Sequence, residues 1–232
     1  MNPILSELLR TKAHIGKSRW NRELAQYIVG FRHDSQNTKK GQGSIYALFD
    51  LEKTSAALAQ VLSFLTRCTR TGSPHILLVT QLPDTQFETP EQELPFDLSI
   101  IRDKWIGGML TNWGHISESI VLYSQFRAYA QTRERLHFPV YQKYHKRFQG
   151  IHQTSAPRLP DVLIVTHPAH YEIALLESKH LQIPVIAFVD TDVDPKILRQ
   201  IDYIIPGNTQ SPEFLLFCLN LFFTQRHTYH RA

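Results

Sequence analysis

Three short runs of this chain are apolar throughout: Ile76-Leu77-Leu78-Val79, Val162-Leu163-Ile164-Val165 and Val185-Ile186-Ala187-Phe188-Val189. A strand with one face in water alternates apolar and polar side chains, so unbroken runs of this length describe strands covered on both faces. Strands of that kind belong to a parallel sheet, whose connections cross over its faces as helices. Strands are predicted at 44–50, 75–80, 161–166, 183–190 and 202–205. Helices are predicted between them at 54–70, where Leu58, Val61, Leu62 and Leu65 share one face, and at 169–181 and 211–223. Thr54 and Ser211 are the expected N-caps, the latter followed by Pro212 at the first helical position. The expected fold class is α/β: a doubly wound, mainly parallel sheet flanked by helices.

The middle of the chain departs from this rhythm. A helix is predicted at 116–126 on Ile116, Ile120 and Tyr123, after which Pro139 breaks the chain. Beyond it Tyr141, Tyr144, Phe148 and Ile151 repeat at the spacing of a packed helical seam. The expected organisation is one body made of residues 1–115 and 159–232, with an inserted helical hairpin at 116–158. Residues 33–43 are polar with Gly41 and Gly43 and read as an inserted loop. Residues 83–97 read as an irregular acidic connection.

Charge is segregated. The chain of 232 residues has a formal net charge of only +4. Residues 12–40 carry Lys12, Lys17, Arg19, Arg22, Arg32, Lys39 and Lys40 against Glu23 and Asp34. Residues 117–158 carry Arg127, Arg133, Arg135, Lys143, Lys146, Arg147 and Arg158 against Glu118 and Glu134. Two basic blocks on an otherwise acidic body fit either a phosphate-facing edge or a pair of solvated surface helices. Within the first block, Lys17, Arg19 and Arg22 surround Trp20 and Asn21. These are cations for phosphates, an aromatic for stacking and an amide for a base or sugar; the alternative is a tryptophan anchored in the core. Lys39 and Lys40 are a weaker pair.

Other chemistry has less behind it. No run approaches the roughly 18 apolar residues of a membrane span, and residues 214–223, apolar except for Asn220, suit a buried terminal helix. Cys68 and Cys218 lack metal-ligand spacing and are expected as ordinary thiols in a reducing compartment. The first residues show neither a signal-peptide apolar region nor an Arg/Ser-rich transit peptide. No dinucleotide fingerprint, P-loop, nucleophile elbow or recognisable triad order is present. Gly207 suits a turn before the last helix, although a helix start there could also face a phosphate. Asp190, Asp192, Asp194 and Asp202 could gather round a hard cation but are equally turn formers and caps. His167 and His170 flank Pro168 without a third ligand. No catalytic residue, metal or cofactor is expected.

The stretch Trp105-Ile106-Gly107-Gly108-Met109-Leu110-Thr111-Asn112-Trp113 combines two aromatics, a glycine pair and two short polar residues, and reads as an architectural or recognition turn ahead of a helix. It closely resembles the signature of the small-subunit ribosomal protein 2 family in its bacterial and organellar form. His14-Ile15-Gly16-Lys17-Ser18-Arg19-Trp20-Asn21 and Asp50-Leu51-Glu52-Lys53-Thr54 resemble further motifs of that family. So do Leu159-Pro160-Asp161, Ile183-Pro184-Val185, Val189-Asp190-Thr191, Asp194-Pro195 and Ile205-Pro206-Gly207-Asn208, all in the family's order and spanning about residues 5 to 223. The resemblance implies a protruding helical hairpin in the middle of the chain, somewhat shorter here. Where the family commonly carries a basic turn after the strand at 76–80, this chain has Gln81-Leu82-Pro83-Asp84, and the family's charged C-terminal tail is absent.

The implied function is that of a structural constituent of the small ribosomal subunit, not an enzyme. Its expected partners are small-subunit ribosomal RNA and neighbouring small-subunit proteins, including protein one where that exists; neither a membrane nor a homo-oligomer is expected. The expected RNA-binding residues are Lys17, Arg19, Trp20, Asn21, Arg22, Lys39, Lys40, Trp105, Gly107, Gly108, Thr111, Asn112, Arg133, Lys143 and Arg147. The compressed N-terminal motif, the inserted loop and the aromatic-rich composition suggest a mitochondrial ribosome, with a plastid or bacterial cytoplasm as alternatives. On the same fold, the Asp190–Asp194 loop and Gly207 would suit a small-molecule enzyme for a phosphorylated ligand. A scaffold whose hairpin binds protein is a third reading.

Overall fold

Helix α1 (Pro3–Arg10) leads through a 3-10 turn at Arg22–Tyr27 into strands β1 (Ile28–Asp34) and β2 (Ser44–Phe49), followed by helix α2 (Leu51–Thr71) and strands β3 (His75–Val79) and β4 (Asp97–Ile101). Helices α3 (Trp113–Thr132) and α4 (Pro139–Phe148) come next. The chain then runs through β5 (Val162–Val165), α5 (Glu172–His180), β6 (Val185–Val189), α6 (Pro195–Leu198), β7 (Tyr203–Pro206) and α7 (Pro212–Thr224). This computed structural model describes residues 3–34, 44–83, 94–102, 104–132, 139–148 and 158–224.

The apolar runs lie at the centre of a five-stranded parallel sheet in the order β4-β3-β5-β6-β7. Their side chains divide by alternation. Ile76, Leu78, Val162, Ile164, Ile186 and Phe188 face a core built with α1, α2 and α7. Leu77, Val79, Leu163, Val165, Val185 and Ala187 face a second core with α5, α6 and the 105–110 turn. Each fully buried aliphatic side chain contributes roughly 1.5–3 kcal/mol relative to exposure, so the two-sided sheet supplies much of the driving force. The doubly wound architecture is the one the sequence predicts.

Two strands were not predicted. β4 continues straight from the segment read as an irregular connection, and its polar start, Asp97, hides it; residues 84–93 of that connection lie outside the described residues. β1 pairs antiparallel with β2 in a separate two-stranded ribbon, Phe31 opposite Ala47 and His33 opposite Ile45. The predicted 33–43 loop therefore begins inside β1, and residues 35–43 lie outside the described residues.

Thr54 is not the N-cap of α2. Asp50 is: its carboxylate accepts from the backbone N–H of Glu52 at 3.0 Å, and the helix begins three residues earlier than predicted. Thr54 is buried, and its hydroxyl donates to the Pro206 carbonyl at 2.9 Å, fastening α2 to the end of β7. Ser211 does cap α7, accepting from the Phe214 N–H at 3.3 Å while its own hydroxyl donates to the Thr11 carbonyl at 2.7 Å. Both cysteines are free thiols, Cys218 buried and Cys68 half-buried.

Helices α3 and α4 pack along an aromatic seam. The Tyr123 ring lies 6.0 Å from those of both Tyr141 and Phe148, and its hydroxyl meets His145 Nδ1 at 2.6 Å. Ile116, Ile120, Tyr123, Tyr141 and Phe148 are buried, whereas Tyr144 sits at the margin. Ile151 and the rest of 149–157, with 133–138, lie outside the described residues. Among the described residues no helix is long and apolar enough to cross a membrane.

Candidate nucleic-acid interface

The loop from Gly16 to Asn21 is held at both of its flanks by one residue, Thr191, just beyond β6. The Thr191 hydroxyl accepts from the Lys17 N–H at 2.9 Å and donates to the Arg19 carbonyl at 2.9 Å, while the Thr191 carbonyl accepts from the Asn21 N–H at 2.7 Å. On its other side the loop joins the ribbon: Gly16 N–H donates to the Ala47 carbonyl at 2.8 Å, and Ala47 N–H to the Lys17 carbonyl at 3.2 Å. A Cβ on Gly16 would lie 2.5 Å from Thr191 Cγ2 and 3.0 Å from the Ala47 carbonyl, so only glycine lets the three segments meet. Asp190, buried beneath, accepts from the Thr191 N–H at 2.7 Å and the Thr209 hydroxyl at 3.2 Å. Burial raises its carboxyl above the ordinary value despite those donors and nearby Lys17.

This clamp sorts the predicted contacts. Trp20, 44% exposed, points out of the loop and leans on Phe31 with ring centroids 5.6 Å apart. Arg19 and Arg22 are exposed and form no ion pair among the described residues. Arg32, on β1, shares that state. Lys17 differs: its ammonium holds both Asp192 oxygens at 3.0 Å. Asn21 also works internally, capping the 3-10 turn by accepting from the Glu23 N–H at 3.1 Å and donating to the Val193 carbonyl at 3.1 Å. Replacing Thr191 with valine should cost about 1–2 kcal/mol in urea unfolding, through the two lost hydroxyl bonds. Arg19 and Trp20 would then lose part of their fixed backbone.

The glycine turn is organised around an anion inside the protein. The Glu177 carboxylate, projecting from α5 and only 7% exposed, accepts at Oε1 from the Trp105 indole N–H (3.1 Å) and the Gly108 N–H (2.7 Å). At Oε2 it accepts from the N–H groups of Leu110 (2.8 Å) and Thr111 (3.1 Å). Gly108 takes φ +84°, where a side chain would be strained, and this lets successive amides converge on the carboxylate. Burial alone would raise the Glu177 pKa. The donors from Leu110, Trp105, Thr111 and Gly108 outweigh it and hold the carboxyl below its usual value. Trp105 is buried. Gly107 and the side chains of Thr111 and Asn112 remain exposed, and the Asn112 carbonyl accepts the Ile116 N–H, the opening bond of α3.

The strand order reverses between β3 and β5, the crevice where doubly wound folds receive ligands. Close to the sheet the protein's own side chains occupy it, and outside them lies an open cleft of about 590 Å³ lined by Gln81, Arg102, Lys104, His170 and Tyr171. The Thr80 and Thr166 hydroxyls lie 3.1 Å apart, and the Tyr171 hydroxyl donates to the Thr80 carbonyl at 3.2 Å. His167 donates from Nε2 to the Thr209 carbonyl at 3.1 Å, leaving Nδ1 to accept from the Thr166 hydroxyl at 2.9 Å; burial lowers its pKa. Gly207 packs under α7, where a Cβ would lie 2.6 Å from the Phe214 ring. The four aspartates have four separate tasks. Asp190 and Asp192 are accounted for above, Asp194 caps α6 through the Lys196 N–H at 2.7 Å, and Asp202 accepts from the Val185 N–H at 2.9 Å. Among the described residues no three His, Cys, Asp or Glu side chains gather as metal ligands.

Of the second basic block, Lys143 is exposed on α4 and Arg127 half-buried on α3. Arg158 is a fastener, pairing with Asp97 at 3.0 Å and Asp161 at 3.5 Å. Arg133, Lys39 and Lys40 lie outside the described residues, as does the side chain of Arg147. Sequence reasoning missed Thr191, Glu177 and Phe31. Only the first had a signal, its place beside Asp190 in a recognised motif.

The profile of the family described as Ribosomal protein S2 matches residues 8–224. Small ribosomal subunit protein uS2m of Marchantia polymorpha is 30% identical over 227 residues, covering 93% of this chain and 87% of its own length. Small ribosomal subunit protein uS2 of Geotalea uraniireducens is 32% identical over 218 residues (89% and 78%), and that of Thermus thermophilus 30% over 221 residues (88% and 77%). A profile match over nearly the whole chain shows that this chain belongs to the ribosomal protein S2 family, whose members are structural proteins of the small ribosomal subunit and not enzymes.

Proposed function

We propose that this chain binds small-subunit ribosomal RNA through the surface formed by Arg19, Trp20, Arg22 and Arg32, and contacts neighbouring ribosomal proteins elsewhere. The observation that carries this reading is the state of the three arginines: exposed, without an ion pair among the described residues, and set on or beside a backbone pinned by Thr191. Guanidinium groups with no competing carboxylate meet phosphates through paired N–H donors. Lys143 on α4 and the exposed edge of the glycine turn, Gly107, Thr111 and Asn112, extend the proposed contact. Lys39, Lys40, Arg133 and Arg147 remain proposed contacts by sequence. On this reading α3 and α4 form a hairpin inserted into the body and directed toward the RNA.

The compartment proposed is the mitochondrion, supported by the similarity to the mitochondrial-type uS2m of Marchantia polymorpha. The test is sedimentation of a mitochondrial extract through sucrose at low and high salt, with the protein followed by mass spectrometry. Comigration with small-subunit RNA at low salt and release at high salt is the expected result, because phosphate contacts weaken steeply as salt rises. A light peak that ignores salt, in an extract with intact small subunits, would overturn it.

A further inference from the structure

We infer that the β1–β2 ribbon and Trp20 form a stacking platform for unpaired nucleotides, so that this face takes a single-stranded RNA segment and not a duplex. The inference rests on the RNA-binding reading above and names the form of RNA that the surface fits.

The ribbon exposes what a folded protein normally hides. Val29 is 71% exposed, Phe31 52%, Ile45 51% and Trp20 44%, and Phe31 and Ile45 lie on one face of the paired strands, opposite Ala47 and His33. Contiguous exposed apolar surface of this kind marks an interaction site. Its surroundings decide the partner. Arg19 and Arg22 lie beside Trp20 in the chain, Arg32 follows Phe31 on the alternate face of β1, and two acids of this region are engaged elsewhere: Asp192 by Lys17 at 3.0 Å and Glu23 by Arg199 at 3.7 Å. An apolar aromatic surface with uncommitted arginines next to it in the chain complements a polyanion with flat apolar faces. Single-stranded RNA is such a ligand, since splayed bases stack on aromatic rings while the backbone meets the cations.

Geometry adds the preference for unpaired nucleotides. Trp20 and Phe31 sit 5.6 Å apart at an interplanar angle of 54°, offering two differently tilted ring faces. Bases confined in a duplex are already stacked on one another and cannot lie on either ring. The platform is also fixed before binding. Thr191 holds the residues on both sides of Trp20, and strand pairing holds Phe31.

The test uses the full chain with two probes, a fluorescein-labelled oligoadenylate and an RNA duplex of equal length. The variants are Trp20→Leu, Phe31→Leu and the triple change Arg19→Gln, Arg22→Gln, Arg32→Gln. Leucine keeps apolar bulk at exposed positions, and circular dichroism confirms that each variant is folded. The expected result is about a tenfold loss of oligoadenylate affinity for each aromatic variant, with duplex affinity changed less than about twofold. The arginine variant should weaken both probes. Quenching of tryptophan fluorescence by oligoadenylate should be lost in Trp20→Leu. If both aromatic variants bind oligoadenylate like the parent while the arginine variant is weakened, the platform is refuted and the phosphate-binding reading stands. If the parent binds neither probe, or the arginine variant binds both unchanged, the RNA-binding assignment of this surface falls as well.

Discussion

Replacing Glu177 with alanine should destabilise the protein by about 3–5 kcal/mol. The carboxylate accepts from the Trp105 indole and the amides of Gly108, Leu110 and Thr111, and all four donors would lose their common acceptor in a buried setting. Each stranded buried donor costs roughly 1–3 kcal/mol, less what the turn recovers by opening to water. Glutamine keeps one acceptor oxygen but turns an amide group toward N–H donors, so Glu177→Gln should lose about 2–3 kcal/mol by the same reasoning. Urea unfolding at neutral pH measures both.

The effect has a pH signature. The folded-state pKa of Glu177 lies below its unfolded value: burial pushes it upward, but the donors from Leu110, Trp105, Thr111 and Gly108 prevail. Its stabilisation is therefore present above the ordinary carboxylate pKa and lost as pH falls through the depressed one. The gap between parent and Glu177→Gln should be widest at neutral pH and should close in acid. A gap that is constant with pH would mean that the turn is held by packing and not by the ionised carboxylate.

The triple substitution Arg19→Gln, Arg22→Gln, Arg32→Gln should reduce affinity for small-subunit RNA about 100-fold or more near 0.1 M salt. It should also flatten the plot of log affinity against log salt by about two to three units. Stability should change by less than about 0.5 kcal/mol for each exposed site. Lys17→Gln should matter much less, because Asp192 already engages that ammonium at 3.0 Å and largely neutralises its charge. Filter binding of the purified chain to small-subunit RNA at several salt concentrations gives both affinity and slope. Equal effects of Lys17→Gln and of the individual arginine changes would indicate a diffuse basic field and not a placed surface.

The sequence disclosed those parts of the protein whose physics is local. Strands buried on both faces are apolar throughout, so β3, β5 and β6 stood out, and Ser211-Pro212 announced the start of α7. β1 did not stand out, because Gly30 interrupts it and its exposed ribbon mixes Arg32 and His33 with Phe31. At Asp50 one residue both ends β2 and caps α2, which displaced the predicted helix start to Thr54. The site was harder to read because its decisive pairings are remote in sequence. Glu177 reaches a turn 66 to 72 residues away, and Lys17 meets Asp192 across 175. Motif resemblance marked the glycine turn and the Arg19-Trp20-Asn21 loop as important. Only the fold separates the members that hold the structure together, Asn21, Trp105 and Gly108, from those that face outward, Arg19, Trp20 and Arg22.

Ultraviolet cross-linking of intact small subunits, with peptides identified by mass spectrometry, tests the Trp20–Phe31 surface directly. RNA cross-links on the peptides containing Trp20 and Phe31, and none on the buried Trp105, are the predicted result. Cross-links confined to other parts of the chain, with Trp20 and Phe31 bare, would contradict the account.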